Sequence, residues 1–538
     1  MKDFSYQTRV TNIEKLKTEN FDLVIIGGGI TGAGVARDAA GRGLKVALIE
    51  ANDFAEGTSS RSSKLVHGGI RYLENMEFHL VFEALSERTK LFEIAPHLVH
   101  PLRFMIPLYK TSRVGMFKMG LGMILYDALA LFRSPQLHER LNAKETRQRM
   151  PIVQQEGLVG SFVYSDAYMD DARLVFETLR SAHEENAICV NYLKAKKSIF
   201  QNPEKQNKVS GIEVEDRLTE EKFIIRAKHV ISTVGPWTDL VGEKLVSDWK
   251  NILRPTKGIH LTLKKDRLPL TSAVVMAAEK SSRIVFAIPR HEMIIIGTTD
   301  TDFNGDPDKA VVTQDDVTYL LKITNEYFPG AQLFEKDIIS TYVGVRPLVK
   351  DDSSTEGKTS REHTILNDPR GFTFVAGGKY TTYRLMSEQI VDQVIDLEFS
   401  EKKAELKKCK TTEPLHPLVT LDSYQKAQKE VETGPATTAW LVERYGDEGF
   451  EILNKYGSEK SIWQLEAHQA IHTTMCFKLV DFYSLRVPLI LAYEDHGLSV
   501  MIEVSEVFRN ELNWSNEEVE KQKEEVKSYI KKEQAWKK

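Results

Sequence analysis

The stretch from Leu23 to Glu50 constrains the fold of this chain more than any other. The apolar run Leu23–Ile26 ends abruptly in Gly27-Gly28-Gly29, which reads as a buried strand meeting a glycine turn. Residues 31–42 then place small and apolar side chains at helical spacing, and residues 45–49 form a second apolar run that stops at Glu50. The spacing predicts strand, helix and strand within about thirty residues, a βαβ unit.

Inside that unit lies Gly27-x-Gly29-x-x-Gly32. With 32 glycines in 538 residues, roughly 0.1 such matches arise by chance, so the strand-to-helix context carries the reading. Gly27 permits the tight turn, Gly29 lets the backbone approach a pyrophosphate, and Gly32 admits close helix packing. The helix N-terminus then offers N–H groups and the positive end of its dipole to that pyrophosphate. Glu50 is placed to accept hydrogen bonds from ribose hydroxyls, and its charge repels a 2′-phosphate, which favours FAD or NAD over NADP. The plain alternative is a buried strand-turn-helix with no ligand.

Length and composition bound the rest. A chain of 538 residues is expected to fold as two or three domains, and 41% hydrophobic with 28% charged residues is ordinary globular composition. A net charge of -5 gives no global attraction for nucleic acid. Three cysteines, Cys189, Cys409 and Cys476, are far apart and form no CxxC, so neither a disulfide framework nor a thiolate metal site is expected. The first twenty residues lack the apolar core of a signal peptide, which places the protein in the cytoplasm, and no run of about twenty apolar residues predicts a spanning helix.

Along the chain, residues 1–20 read as a polar leader and 21–400 as an α/β region. There a Rossmann-like domain is interleaved with a β-rich one, with strands at 223–232, 284–289, 293–298 and 373–376. A charged stretch at 401–412, followed by Pro414 and Pro417, reads as a linker. Residues 410–538 read as an all-helical domain ending in a solvated tail, KQKEEVKSYIKKEQAWKK.

Downstream of the fingerprint, Thr58-Ser-Ser-Arg-Ser-Ser-Lys-Leu-Val-His-Gly-Gly-Ile-Arg-Tyr-Leu-Glu74 closely resembles the FAD-dependent glycerol-3-phosphate dehydrogenases. Matching stretches follow in that family's order: Val230–Trp237, Lys257–His260, Ile296–Asp300, Gly344–Leu348 and Gly377–Arg384. The resemblance spans roughly residues 20–390. It implies a Rossmann-like FAD domain, an interleaved substrate sheet and a helical cap. The implied activity is oxidation of sn-glycerol 3-phosphate to dihydroxyacetone phosphate, with electrons passed through FAD to a membrane quinone.

The residues fit that chemistry. A phosphate dianion calls for arginine forks or a lysine, and the family motifs supply Arg71, Arg346, Arg361 and Lys379, with Tyr72 beside them. Each also has a plain reading, as an ion pair, a loop charge or a strand end. Proton removal calls for a group titrating near neutrality. His260 is the candidate base or orienting group, with Arg346, Lys379 and Arg71 completing the candidate catalytic set. Arginine stays protonated, so Arg346 suits stabilisation of the developing oxygen charge. For FAD the candidates are Gly27, Gly29, Gly32, Glu50, Thr58, Ser59, Ser63, Lys64, His67, Gly68, Gly235, Gly377, Gly378, Lys379, Thr381 and Thr382, and no metal is expected.

A quinone acceptor places the protein on the inner face of the cell membrane. The apolar segment Val114–Phe132 reads equally as a bilayer contact or as a buried helix, and Lys531, Lys532, Lys537 and Lys538 are a lesser lipid-facing candidate. Three other readings stand beside the dehydrogenase: an oxidase of the same substrate using O2, a flavin-binding regulatory or scaffold protein, and an NAD-dependent Rossmann enzyme, which the flavin-type motifs beyond the fingerprint disfavour. A homo-oligomer is compatible with the dehydrogenase.

Overall fold

The computed structural model describes residues 2–537 except 75, 278–282, 291–292 and 351–362; the side chain of Arg71 also lies outside the described set, as does Arg361. The first sheet grows from the predicted unit: strand β1 (Asn20–Ile26), helix α2 (Ile30–Gly41) and strand β2 (Val46–Ile49) follow helix α1 (Tyr6–Thr18). Leu23, Val24 and Ile25 are fully buried. The strand is apolar on consecutive rather than alternate residues because both faces of a parallel sheet are covered. Each such side chain contributes about 1.5–3 kcal/mol of burial.

β1 lies between β2 and the strand Lys222–Ser232, parallel to both, and the strand Phe372–Gly377 continues the sheet in parallel. Among the described residues this sheet has eight strands. The predicted strands at 223–232 and 373–376 thus return to the nucleotide unit.

The second sheet has ten strands among the described residues. It contains β3 (Leu65–Val66) and, after helix α3 (Phe78–Ile94), β4 (Val99–Tyr109), which leads to helix α4 (Met116–Leu129). Its central strand Thr256–Lys264 pairs on one side with Met293–Gly297 and on the other with Ile338–Arg346. That register sets His260 opposite Gly297 and Tyr342, and Thr256 opposite Arg346. From Leu421 to Glu533 the chain is helical, built around a separate apolar core that includes Trp463, Phe482 and Phe508.

Two expectations are corrected. Residues 1–20, expected as a polar leader, carry helix α1, which packs on the first sheet with Ile13 and Leu16 buried. Its polar residues point inward because their partners are there. Arg9 forms a two-pronged pair with Asp216 at 2.9 and 3.2 Å, and Asn12 donates to the Cys189 carbonyl.

The solvated tail is also docked. The helix Asn516–Glu533 buries Val519, Val526 and Ile530, and Trp536 beyond it enters the core of the second sheet. The linker region is tied down as well, since Arg37 on α2 donates to the carbonyls of Thr411 and Glu413.

Candidate active site

The two sheets enclose a cavity of about 910 Å³ that runs from Gly27 and Glu50 to Arg346 and His260. This is the upper range for a ligand pocket and matches a dinucleotide with a small substrate beside it.

Backbone geometry shapes the nucleotide end. Gly27 holds φ +110°, and a Cβ there would stand 2.7 Å from the Thr233 carbonyl oxygen. A Cβ on Gly32 would meet the Gly27 carbonyl oxygen at 1.9 Å, so Gly32 lies behind the turn, outside the cavity, and lets α2 sit on it. Gly29 caps α2 in an extended conformation with no side-chain cap bond, leaving the helix N-terminus open towards the cavity. Ser59 Oγ accepts from the Ile30 N–H at 3.0 Å.

Glu50 accepts from the N–H groups of Gly28 and Asn52 at 2.7 and 2.9 Å. Burial pushes its carboxyl up to about 7 against the pull of those donors. Gly235, Gly377 and Gly378, all at positive φ, line the same cavity. These features fit FAD: a cradle that side chains would fill, an open helix N-terminus, and an acid at the end of β2.

The other end is made of side chains from distant segments. Arg346, at the end of its strand, donates to Asp300 at 2.9 Å and to Thr298 at 3.0 Å. Lys379 stands 3.8 Å over the Tyr72 ring, and both line the cavity. His260 is stacked on Tyr342 with ring centroids 4.6 Å apart, and its Nε2 meets Ser63 Oγ at 2.8 Å. Burial first, then the charges of Arg346 and Lys64, hold its pKa well below the usual histidine range, so the imidazole is neutral. Phe104, Tyr164, Val275 and Phe286 give this end apolar walls. Thr58 donates to the Val345 carbonyl at 2.6 Å and lines the cavity, as do Ser59, Ser63 and His67; Thr381 Oγ1 accepts from the His67 N–H.

Besides Gly32, three candidates are not at the cavity wall. Lys64, expected to reach FAD phosphates, turns away and pairs with buried Asp171 at the start of the helix Asp171–Glu184. Gly68 packs against Leu85 and donates to Tyr126 Oη and Asp166, because any Cβ there would clash with Leu85 and Tyr126. Thr382 is buried behind the wall, its hydroxyl on the Lys379 carbonyl. The sequence reading passed over Arg61 and Glu533 and took Lys532 as a lesser lipid-facing candidate, whereas all three line the cavity. For Glu533 a signal existed: the apolar stripe Val519, Val526, Ile530 in the charged last helix marks a docked face.

Residues 22–384 match the family model described as FAD dependent oxidoreductase. The aerobic glycerol-3-phosphate dehydrogenase of Staphylococcus haemolyticus is 42% identical over 398 residues, 74% of this chain and 71% of that protein. The Staphylococcus saprophyticus enzyme of the same name is 35% identical over 522 residues, covering 94% of this chain and 93% of its own. The crystal structure of the glycerol-3-phosphate dehydrogenase from Bacillus halodurans with FAD superposes with a TM-score of 0.80 at 29% identity, over 98% of both chains. L-alpha-glycerophosphate oxidase from Mycoplasma pneumoniae, at 19% identity, TM-score 0.54 and 71% of this chain, shares the fold. The chain belongs to the FAD-dependent oxidoreductases and, within them, to the family of the aerobic glycerol-3-phosphate dehydrogenases.

Proposed function

We propose that this protein oxidises sn-glycerol 3-phosphate to dihydroxyacetone phosphate and passes the electrons through FAD to a membrane quinone. The observation that carries the reading is the cationic, partly apolar end of the cavity, where Arg346, Lys379 and neutral His260 stand beside the nucleotide cradle. It suits a small phosphomonoester with a secondary hydroxyl. FAD, when bound, supplies the two-electron acceptor for the hydrogen on the carbinol carbon.

The chain's own side chains do the rest. Lys379, a compact charge held over Tyr72, supplies a phosphate contact. Arg346, held by Asp300 and Thr298, faces the oxygen that gains charge as the hydroxyl proton leaves. His260 is too weakly basic for a resting base; with Nε2 on Ser63 Oγ and Nδ1 buried, its neutral ring steadies the Ser63 hydroxyl beside the substrate.

The quinone reading draws support from α4. No helix among the described residues is long and apolar enough to cross a membrane. On the outer face of α4, Phe117 is 81% exposed, Ile124 56% and Leu121 53%, and Phe132 just beyond it is 63% exposed. Lys118 and Arg133 are exposed in the same segment. An apolar ridge among cations suits the surface of an anionic bilayer.

Anaerobic addition of glycerol 3-phosphate is expected to bleach the bound flavin, and quinone in vesicles to restore its colour. Peroxide formation that matched turnover, with quinone adding nothing, would replace the dehydrogenase with the oxidase. Absence of bleaching despite bound FAD would favour the scaffold reading. Phe117→Ser with Ile124→Ser is expected to cut co-sedimentation with anionic vesicles at least about tenfold, since each side chain contributes about 1.5–3 kcal/mol when buried, and to leave turnover with a water-soluble dye unchanged.

A further inference from the structure

We propose that Tyr529 and Glu533, on the last turns of the last helix, and Trp536 just beyond it are positioning residues of the site: Tyr529 and Glu533 hold Arg61, and through it the loop Thr58–Ser63, while Trp536 fixes that helix end to the strand that carries Arg346. The activity part of this proposal rests on the reading above; the cofactor part rests only on the family.

The loop Thr58–Ser63 joins everything the site needs. Ser59 meets the start of α2, Thr58 bonds the Val345 carbonyl, Ser62 offers its carbonyl to Tyr342 Oη at 2.9 Å, and Ser63 meets His260. Two sides of the loop are therefore laced to the nucleotide helix and to the second sheet. Its third side is held by the Arg61 side chain alone among these contacts, and that side chain reaches 472 positions along the chain to Glu533, at 2.9 Å, and to Tyr529 Oη at 2.7 Å.

The same end of the helix grips the strand Ile338–Arg346. The Thr341 hydroxyl donates to the Glu533 carbonyl at 2.6 Å, and the Trp536 indole N–H donates to Thr341 Oγ1 at 3.1 Å. Trp536 is buried in the core of the second sheet. On that strand, Gly344 leaves room for Arg61: a Cβ there would stand 2.8 Å from the Arg61 carbonyl oxygen and 2.9 Å from its Cβ. Loop and strand are thus pressed together at Arg61–Gly344 and tied to one helix end by an ion pair that is mostly buried on both sides, 17% and 11% exposed. Losing one partner of such a pair leaves an uncompensated charge beside the cavity. The helical region reads as part of the site, because its docking sets the spacing between the cofactor loop and Arg346.

The test uses the full-length, FAD-loaded protein. Glu533→Gln keeps the size and removes the charge. It is expected to raise the FAD dissociation constant about tenfold, to alter the visible circular dichroism of the bound flavin, and to lower kcat for glycerol 3-phosphate about tenfold with a smaller change in KM. Glu517→Gln, at the exposed start of the same helix, is the control and should change none of these. Tyr529→Phe, which removes only the hydroxyl on Arg61, is expected to move the same quantities about threefold, and decides the matter if Glu533→Gln does not fold.

Wild-type FAD affinity together with an unchanged flavin dichroism in folded Glu533→Gln would overturn the proposal, since a merely structural contact shifts melting temperature without touching the flavin. If the wild-type flavin is not bleached by glycerol 3-phosphate, the substrate reading fails, and the affinity and dichroism results still decide this one.

Discussion

The two ends of the cavity are built by different means. The nucleotide end is centred on the contiguous stretch Gly27–Glu50, with Gly235, Gly377 and Gly378 beside it, and what matters there is backbone: a positive φ at Gly27, a carbonyl 1.9 Å from where a Gly32 Cβ would stand, and two N–H groups on Glu50. The substrate end is assembled from Ser63, His260, Arg346 and Lys379, which lie on separate segments, and what matters there is charge and its partners. A backbone cradle tolerates almost no added atom. A side-chain constellation can lose a member and still bind what the cradle holds. The two ends should therefore fail differently, one by losing FAD and the other by losing turnover with FAD in place.

The sharpest way to break this contrast is Gly32→Val. The clash is with backbone, so the turn has to move, and purified protein is expected to carry no flavin absorbance and to have a lowered Tm. A yellow Gly32→Val protein would show that the turn is not the cofactor cradle. Next in size is Arg346→Ala, expected to lower kcat by about 10²–10³ with flavin content unchanged, in line with the removal of one preorganised donor at a developing oxyanion. Loss of FAD in that variant would show that the two ends are not separable.

A smaller effect lies in pH. Because burial pushes the Glu50 carboxyl up to about 7 and ribose hydroxyls donate best to its charged form, FAD affinity is expected to be about tenfold weaker at pH 6 than at pH 8; Glu50→Gln should flatten the profile. The sign for the apoprotein is opposite. A folded pKa above the unfolded one means extra protons in the folded state. The Glu50 contribution to apoprotein stability is then full below about pH 4.5 and lost as pH rises through about 7, which a pH series of Tm values on wild type and Glu50→Gln checks. The smallest expected change is Tyr72→Leu, which removes the ring under Lys379 and should raise KM about threefold at unchanged flavin content, the scale of one partly exposed cation–π contact.

Legibility followed the same division. The strand, glycine turn, helix and acid of the nucleotide unit stand in the structure where their spacing put them, since each is decided by neighbours within a few residues. Motif order placed Arg346, His260, Lys379 and Tyr72 on one cavity, although no local rule does so. Lys64 points elsewhere because the acid that pairs with it, Asp171, lies 107 positions away along the chain. Gly68 and Thr382 failed because a motif residue can serve the wall from behind. Polar composition misread both α1 and the last helix: Arg9 and Glu533 are charged residues facing inward, each matched by an opposite charge on a distant element. For Val114–Phe132, composition left surface and interior equal, and the structure puts Met123, Tyr126 and Asp127 inside and Phe117, Leu121 and Ile124 outside.

By itself, then, the sequence determined the βαβ nucleotide unit, the acid at its end and the family motifs, because backbone conformation and hydrophobic period are set within a turn or a strand. Tertiary structure alone decided which charges meet: Lys64 with Asp171, Arg346 with Asp300, and Arg61 with Tyr529 and Glu533. The reason is physical. A buried charge is settled by whichever opposite charge the fold brings within about 3 Å, and that distance bears no relation to separation along the chain.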